Sequence, residues 1–136
     1  MTHLRPTAEL AERALLPDDP GQALALTTNA GEPVIDPAWL RSGAHVSSVG
    51  YKPPGGELPR ELAASGHLFV ETRRALAPPP VGCAELAGLE PSAATELGEL
   101  LLAPGRGRAD DREITVYKAM GHVMEDLVAG SPRAEP

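Results

Sequence analysis

Four short apolar segments recur along the chain, each stopped by turn-forming residues: "ALALTT" at 23–28, "AHVSSVG" at 44–50, "HLFVE" at 67–71 and "EITVYK" at 113–118. Runs of this length, carrying β-branched residues and bounded by Gly, Pro, Asn or Asp, read as strands buried in a sheet. The stretches between them have helical signals. "DPAWL" offers Asp36 as an N-cap ahead of Pro37 at the first helical position, and "LPRELAAS" is a short helix with its proline early. Strand, short helix, strand is the rhythm of a parallel sheet, because parallel neighbours need a crossover connection and cannot be joined by a tight hairpin. The expected fold class is therefore α/β, with a mostly parallel sheet and crossover helices.

The remaining segments extend this pattern. Thr7 to Leu16 reads as an amphipathic helix capped by Thr7 and stopped by "PDDPG". "GCAEL" at 82–86 reads as a helix start around a small buried cysteine. Ser92 is placed to cap a helix through "AATELGELLLA", with Leu97, Leu100 and Leu101 on one face. "GHVMEDLVAG" is a last helix ended by Gly130, and 131–136 form a frayed tail. The 136 residues suit one domain, with 1–22 as an N-terminal helix and loop ahead of the sheet-forming region 23–130.

Charge narrows the function classes. Asp+Glu 19 against Lys+Arg 12 leaves a net charge of −7, which repels a phosphate backbone, so no nucleic-acid partner is expected. Arg106, Arg108, Arg112 and Lys118 are interleaved with Asp110, Asp111 and Glu113, the pattern of a solvated loop. Cys83 is the one cysteine, so no intrachain disulfide forms, and a reducing compartment fits. No run approaches the length of about 18 apolar residues that a membrane span needs, and the first residues lack a signal-peptide core. The expectation is a cytoplasmic protein with no membrane partner.

No single motif announces the chemistry. The four histidines, His3, His45, His67 and His122, include no pair at the i, i+4 spacing of helical metal ligands, so no metal site is expected. His45 and His67 each open a strand, where capping or solvent contact is the ordinary role. Cys83 has no flanking basic group to activate it. No G-x-G-x-x-G exists anywhere in the chain. What stands out is "HVSSVGYKPPGGEL", a strand that stops abruptly at Gly50 and runs into a loop stiffened by Pro53 and Pro54. Ligands of open parallel sheets bind beyond the carboxyl ends of the strands. Thr27, Thr28 and Asn29 end one strand in polar groups, and Gly50 ends the next with a backbone that a flat ligand can approach closely. A ligand edge and an ordinary strand-to-helix connection are both consistent with that pattern.

"PVIDPAWLRSGAHVSSVGYKPPGGELPRELAASGHLFVETR", then "ELGELL", then "GRGRADDREITVYKAMGHVMEDLVAG" together resemble the ornithine cyclodeaminase/mu-crystallin family, in the family's order, from about Leu24 to Gly130. The resemblance implies a partial Rossmann-type domain: residues 23–130 as the C-terminal half of an NAD(P)-binding domain. It implies NAD as cofactor, with NADP as the alternative, and a small amino acid or imine as substrate. The expected chemistry is amino-acid deamination or oxidation, or cyclic-imine reduction, by hydride transfer. Family members also carry a substrate and dimerisation domain and are more than twice this length. A homodimer, or a complementing N-terminal half that brings the glycine loop, is therefore implied. The alternative is a non-catalytic fragment or interaction module that keeps part of the nucleotide-binding fold.

The resemblance also implies site residues. Thr28 falls where the family has a threonine contacting the cofactor. Ser47, Val49 and Gly50 fall on the strand and turn lining the nicotinamide side, and Met120 and Gly121 where the chain passes the cofactor before its last helix. Two residues after "VG" the family's cyclodeaminases have an acid/base Asp; here Lys52 stands there and is the catalytic candidate. A lysine moves protons when desolvation favours its neutral form, whereas on an exposed loop it stays charged. Glu57 is the nearest carboxylate.

Overall fold

All the strands pair in parallel in the computed structural model, which describes residues 22–121, 127 and 130. The strands are β1 (Ala23–Leu26), β2 (His45–Ser48), β3 (His67–Val70), β4 (Ala94–Glu96) and β5 (Thr115–Lys118), in the sheet order β1-β2-β5-β3-β4. The last strand in sequence thus lies in the middle of the sheet. Its position buries both faces: Val116 is fully buried, as are the residues paired with it on either side, Val46 of β2 and Leu68 of β3. Each such side chain contributes about 1.5–3 kcal/mol by leaving water.

The connections follow their local signals. A 3₁₀ turn at Pro37–Trp39 links β1 to β2, and Asp36 caps it by accepting from the Ala38 N–H at 2.8 Å. Helix α1 (Arg60–Ser65) links β2 to β3 and buries Leu62 and Ala63 against the sheet. It ends at Gly66, where an added Cβ would meet Val116 Cγ2 at 2.9 Å, so only glycine lets the helix end pass so close to the central strand.

The segment expected to run as one helix from Ser92 divides instead. Residues Pro91–Ala93 form a 3₁₀ turn, Ala94–Glu96 form β4, and helix α2 (Leu97–Leu102) begins only afterwards. Ala94 and Glu96 are good helix formers, but the open side of β3 supplies a ladder that outweighs this local preference. Glu96 then serves as N-cap, in a capping box with Glu99. Arg73 secures the edge: it donates to the Ala94 carbonyl at 3.0 Å and pairs with Glu99 at 2.7 Å. "GCAEL" is likewise a run of turns and not a helix start. The helices expected at 7–16 and 121–130, and the tail at 131–136, lie wholly or largely outside the described residues.

Candidate functional site at the carboxyl end of the sheet

The register lines up the strand ends. Leu26 pairs with Ser48, Ser48 with Lys118, Lys118 with Val70 and Val70 with Glu96, forming one row across the sheet. The ladder continues past that row: the Val49 N–H donates to the Leu26 carbonyl at 3.1 Å and the Ala119 N–H to the Ser48 carbonyl at 2.9 Å. The chain therefore turns away at a common rim formed by Thr28, Gly50 and Met120.

Two buried carboxylates and one buried amine organise this rim. Glu57 is fully buried, folded back beneath the tips of β1 and β2. Its Oε2 accepts from the backbone N–H of Thr28 at 2.6 Å and from Thr28 Oγ1 at 2.8 Å. Its Oε1 accepts from Ser48 Oγ at 2.8 Å and from the Gly50 N–H at 2.6 Å. Burial pushes the Glu57 carboxyl up, but the donors from Thr28, Gly50 and Ser48 prevail and hold it below the usual range. An ionised carboxylate with four donors is an anchor, not a proton donor, so the carboxylate nearest to Gly50 in sequence has a positioning role.

Lys118 is fully buried at the end of the central strand. Its Nζ donates to Ser48 Oγ at 3.0 Å, to the Gly50 carbonyl, and to Glu85 Oε1 at 3.2 Å. Glu85 Oε2 lies 2.9 Å from Nζ as an ion pair without the alignment of a hydrogen bond. Glu85 Oε1 also accepts the Leu58 N–H at 2.9 Å, which ties the far end of the Pro53–Gly56 loop to the same amine. Gly56 makes room for this: a Cβ there would fall 2.1 Å from Glu85 Cδ. On the other side of β5, Glu71 accepts from the Met120 and Gly121 N–H groups, each at 3.2 Å.

The structure distributes the sequence-derived residues over this rim. Thr28 and Gly50 are brought together at the tips of β1 and β2, with Glu57 bonded to both. Val49 is 48% exposed, an apolar side chain presented at the rim. Ser47 is half-buried within β2 and, by the alternation of a strand, points to the face opposite Ser48. Met120 is half-buried against the core, and Gly121, with φ of 76°, is exposed. Lys52 is exposed on the loop two residues beyond Gly50. His45 and His67 lie at the amino end of the sheet, away from the rim. His45 Nδ1 is 2.8 Å from Thr115 Oγ1, and His67 pairs with Glu113 at 3.2 Å while stacking on Phe69. Cys83 is fully buried, and burial pushes its thiol up to about 11.

Glu85, Glu71 and the buried state of Lys118 escape a reading of the sequence. One signal for Lys118 does exist: it shares a face with Val116 in "TVYK", and a charge on that face must be buried with a counter-charge. Nothing local identifies Glu85 as that partner.

Comparison with known proteins accords with this architecture. The sequence pattern of the ornithine cyclodeaminase/mu-crystallin family matches residues 22–131. The mouse protein called ketimine reductase mu-crystallin is 38% identical over 103 residues, covering 75% of this chain and 31% of its own length. A delta(1)-pyrroline-2-carboxylate reductase of Paracoccus denitrificans is 37% identical over 132 residues, covering 91% of this chain and 42% of its own. Among solved structures, a probable ornithine cyclodeaminase of Bordetella pertussis superposes with a TM-score of 0.66 at 25% identity, over 86% of this chain and 38% of that one. Thermococcus litoralis delta(1)-pyrroline-2-carboxylate reductase, solved with NADH and L-proline, superposes at 0.65 with 28% identity, over 78% and 34%. The chain thus spans 31% to 42% of the length of these relatives. With the family's pattern extending over the whole described sheet and two relatives above 30% identity, this chain belongs to the ornithine cyclodeaminase/mu-crystallin family.

Proposed function

We propose that this chain supplies the nicotinamide end of an NAD(P)-linked site that interconverts a small amino acid and its imine, with reduction of a cyclic imine as the favoured direction. The observation that carries this reading is the rim itself. It lies beyond the carboxyl ends of parallel strands, where such cofactors bind. It combines the half-buried turn at Gly50, whose backbone packs against Thr28 and Glu57, with the exposed apolar side chain of Val49 and the polar tip of Thr28. The relatives named as reductases support the direction, and one of them was solved with NADH and L-proline.

The residues fit one end of the cofactor. Val49 offers a surface for a flat ring, Thr28 and the Gly50 turn border it, and Ser47 lies one residue before the row of strand ends. Met120 and Gly121 border the side nearest β3, and among the described residues no atom lies within 4 Å of a Cβ built on Gly121. A glycine loop for the pyrophosphate is absent from the sequence, so in this reading a further polypeptide segment or a second subunit supplies it, together with the groups that hold the substrate. The bound cofactor supplies the hydride. Lys52 is assigned the donation of a proton to the substrate nitrogen from its ammonium form, a role that needs no desolvation, because it follows Gly50 on the loop at the edge of the rim. Cyclodeamination of a diamino acid is the finer alternative within the same chemistry. It would use the same rim with the hydride first removed from the substrate and then returned.

Titration of the purified chain with NADH, followed by calorimetry and by nicotinamide fluorescence, tests this. Saturable binding, with NADH consumption on adding delta(1)-pyrroline-2-carboxylate, is expected once the complementing segment is present. Absence of binding with and without that segment would overturn the reading in favour of a non-catalytic interaction module.

A further inference from the structure

We propose that the buried Lys118–Glu85 ion pair is a positioning device for the nicotinamide rim, acting through the backbone of Gly50. This rests on the function proposed above and names residues that act on the site without touching a ligand.

Gly50 is gripped at both ends of its own backbone. Its N–H donates to Glu57 Oε1 at 2.6 Å, and its carbonyl accepts from Lys118 Nζ. The two peptide planes that meet at Gly50 are thus fixed by two buried side chains from different parts of the chain. Ser48 Oγ joins the two grips, donating to Glu57 Oε1 at 2.8 Å and accepting from Lys118 Nζ at 3.0 Å. All three ammonium protons are accounted for by Ser48, Gly50 and Glu85. Glycine is the most conformationally permissive residue, so a rim built on it would be loose without such constraints.

Stability alone does not explain the arrangement. Replacing a buried ion pair by apolar residues of similar volume is often neutral or stabilising, since desolvation offsets the attraction. What an apolar pair cannot do is donate to the Gly50 carbonyl and orient the Ser48 hydroxyl toward Glu57. The Leu58 N–H bond to Glu85 extends the same control to the far end of the loop bearing Lys52. The ion pair therefore holds the start and the end of the segment bordering the proposed ring site, the kind of support that keeps a site within a fraction of an ångström of its productive geometry.

The test uses the double variant Lys118→Met/Glu85→Gln, in which the amide oxygen introduced at position 85 still accepts the Leu58 N–H and no charge is left unpaired in the interior. Leu68→Ala, a core truncation on β3 away from the Gly50 grip, serves as the stability control. Three quantities are measured: the melting temperature, the ¹³C shift of the Gly50 carbonyl, and the Kd for NADH of the chain with its complementing segment. The expected result is a folded double variant with a displaced Gly50 carbonyl shift and a Kd raised at least about tenfold, while Leu68→Ala melts earlier with an unchanged Kd. An unchanged Kd in the double variant, or an equal rise in Leu68→Ala, overturns the proposal. If the wild-type protein does not bind NADH, the functional reading fails by itself. The carbonyl shift then still decides the structural half: displacement supports the grip on Gly50, and an unmoved signal removes it.

Discussion

The carbonyl oxygen of Thr28 stands where a side chain on residue 50 would have to begin: a Cβ on Gly50 would lie 2.2 Å from it and 2.5 Å from Glu57 Oε2. The tips of β1 and β2 are thus packed backbone to backbone, with the Glu57 carboxylate bonded to both. Gly50→Ala must push the strand tips apart or displace the carboxylate. It should destabilise the fold by about 1–3 kcal/mol, read as a lower urea midpoint with an unchanged slope. NADH affinity should fall with it, and a midpoint equal to wild type would show that the rim yields freely.

Glu57 links stability to pH. Its folded-state value is depressed below the ordinary 4.5, so its contribution is fully present above about pH 4.5 and is lost as pH falls through the lowered value. Glu57→Gln should flatten the acid limb of the stability curve. At neutral pH the amide turns donors toward donors, at a cost of about 1–3 kcal/mol for each group left unsatisfied. An acid limb of the same steepness in the variant would assign it to other carboxylates.

Cys83 should be inert in the folded protein. Its thiol is fully buried and raised to about 11, so little thiolate exists at neutral pH. Ellman's reagent should react with it only as fast as the chain opens and should titrate one thiol fully in denaturant. Immediate reaction under native conditions would place the sulfur at the surface.

Lys52→Ala separates chemistry from folding. The side chain is exposed, so stability should change by less than about 0.5 kcal/mol. If Lys52 moves the proton, kcat for imine reduction should drop about 100-fold or more while the Kd for NADH stays unchanged. An undiminished kcat removes Lys52 from the mechanism.

Much of the frame was legible in the primary structure. β1, β2, β3 and β5 follow from apolar runs bounded by turn formers, and α1 and the Asp36 cap follow from proline and capping chemistry. β4 was not legible, because three residues of mixed polarity carry no period of their own and become a strand only against β3. The helix expected from Ser92 failed for the same reason, since a sheet edge is a tertiary property.

The linear order of residues determined where strands end and that Gly50 would close one of them, since these depend on neighbours a few positions away. The fold alone decided which groups meet there. Lys118 finds Glu85 and Gly50 across separations of 33 and 68 residues, and Thr28 finds Glu57 across 29. Ion pairing and hydrogen bonding act over a few ångströms, so only chain reversal through the crossovers brings these partners within range. Burial then makes each of them obligatory, because a charge or amide left unpaired inside costs more than folding can spare.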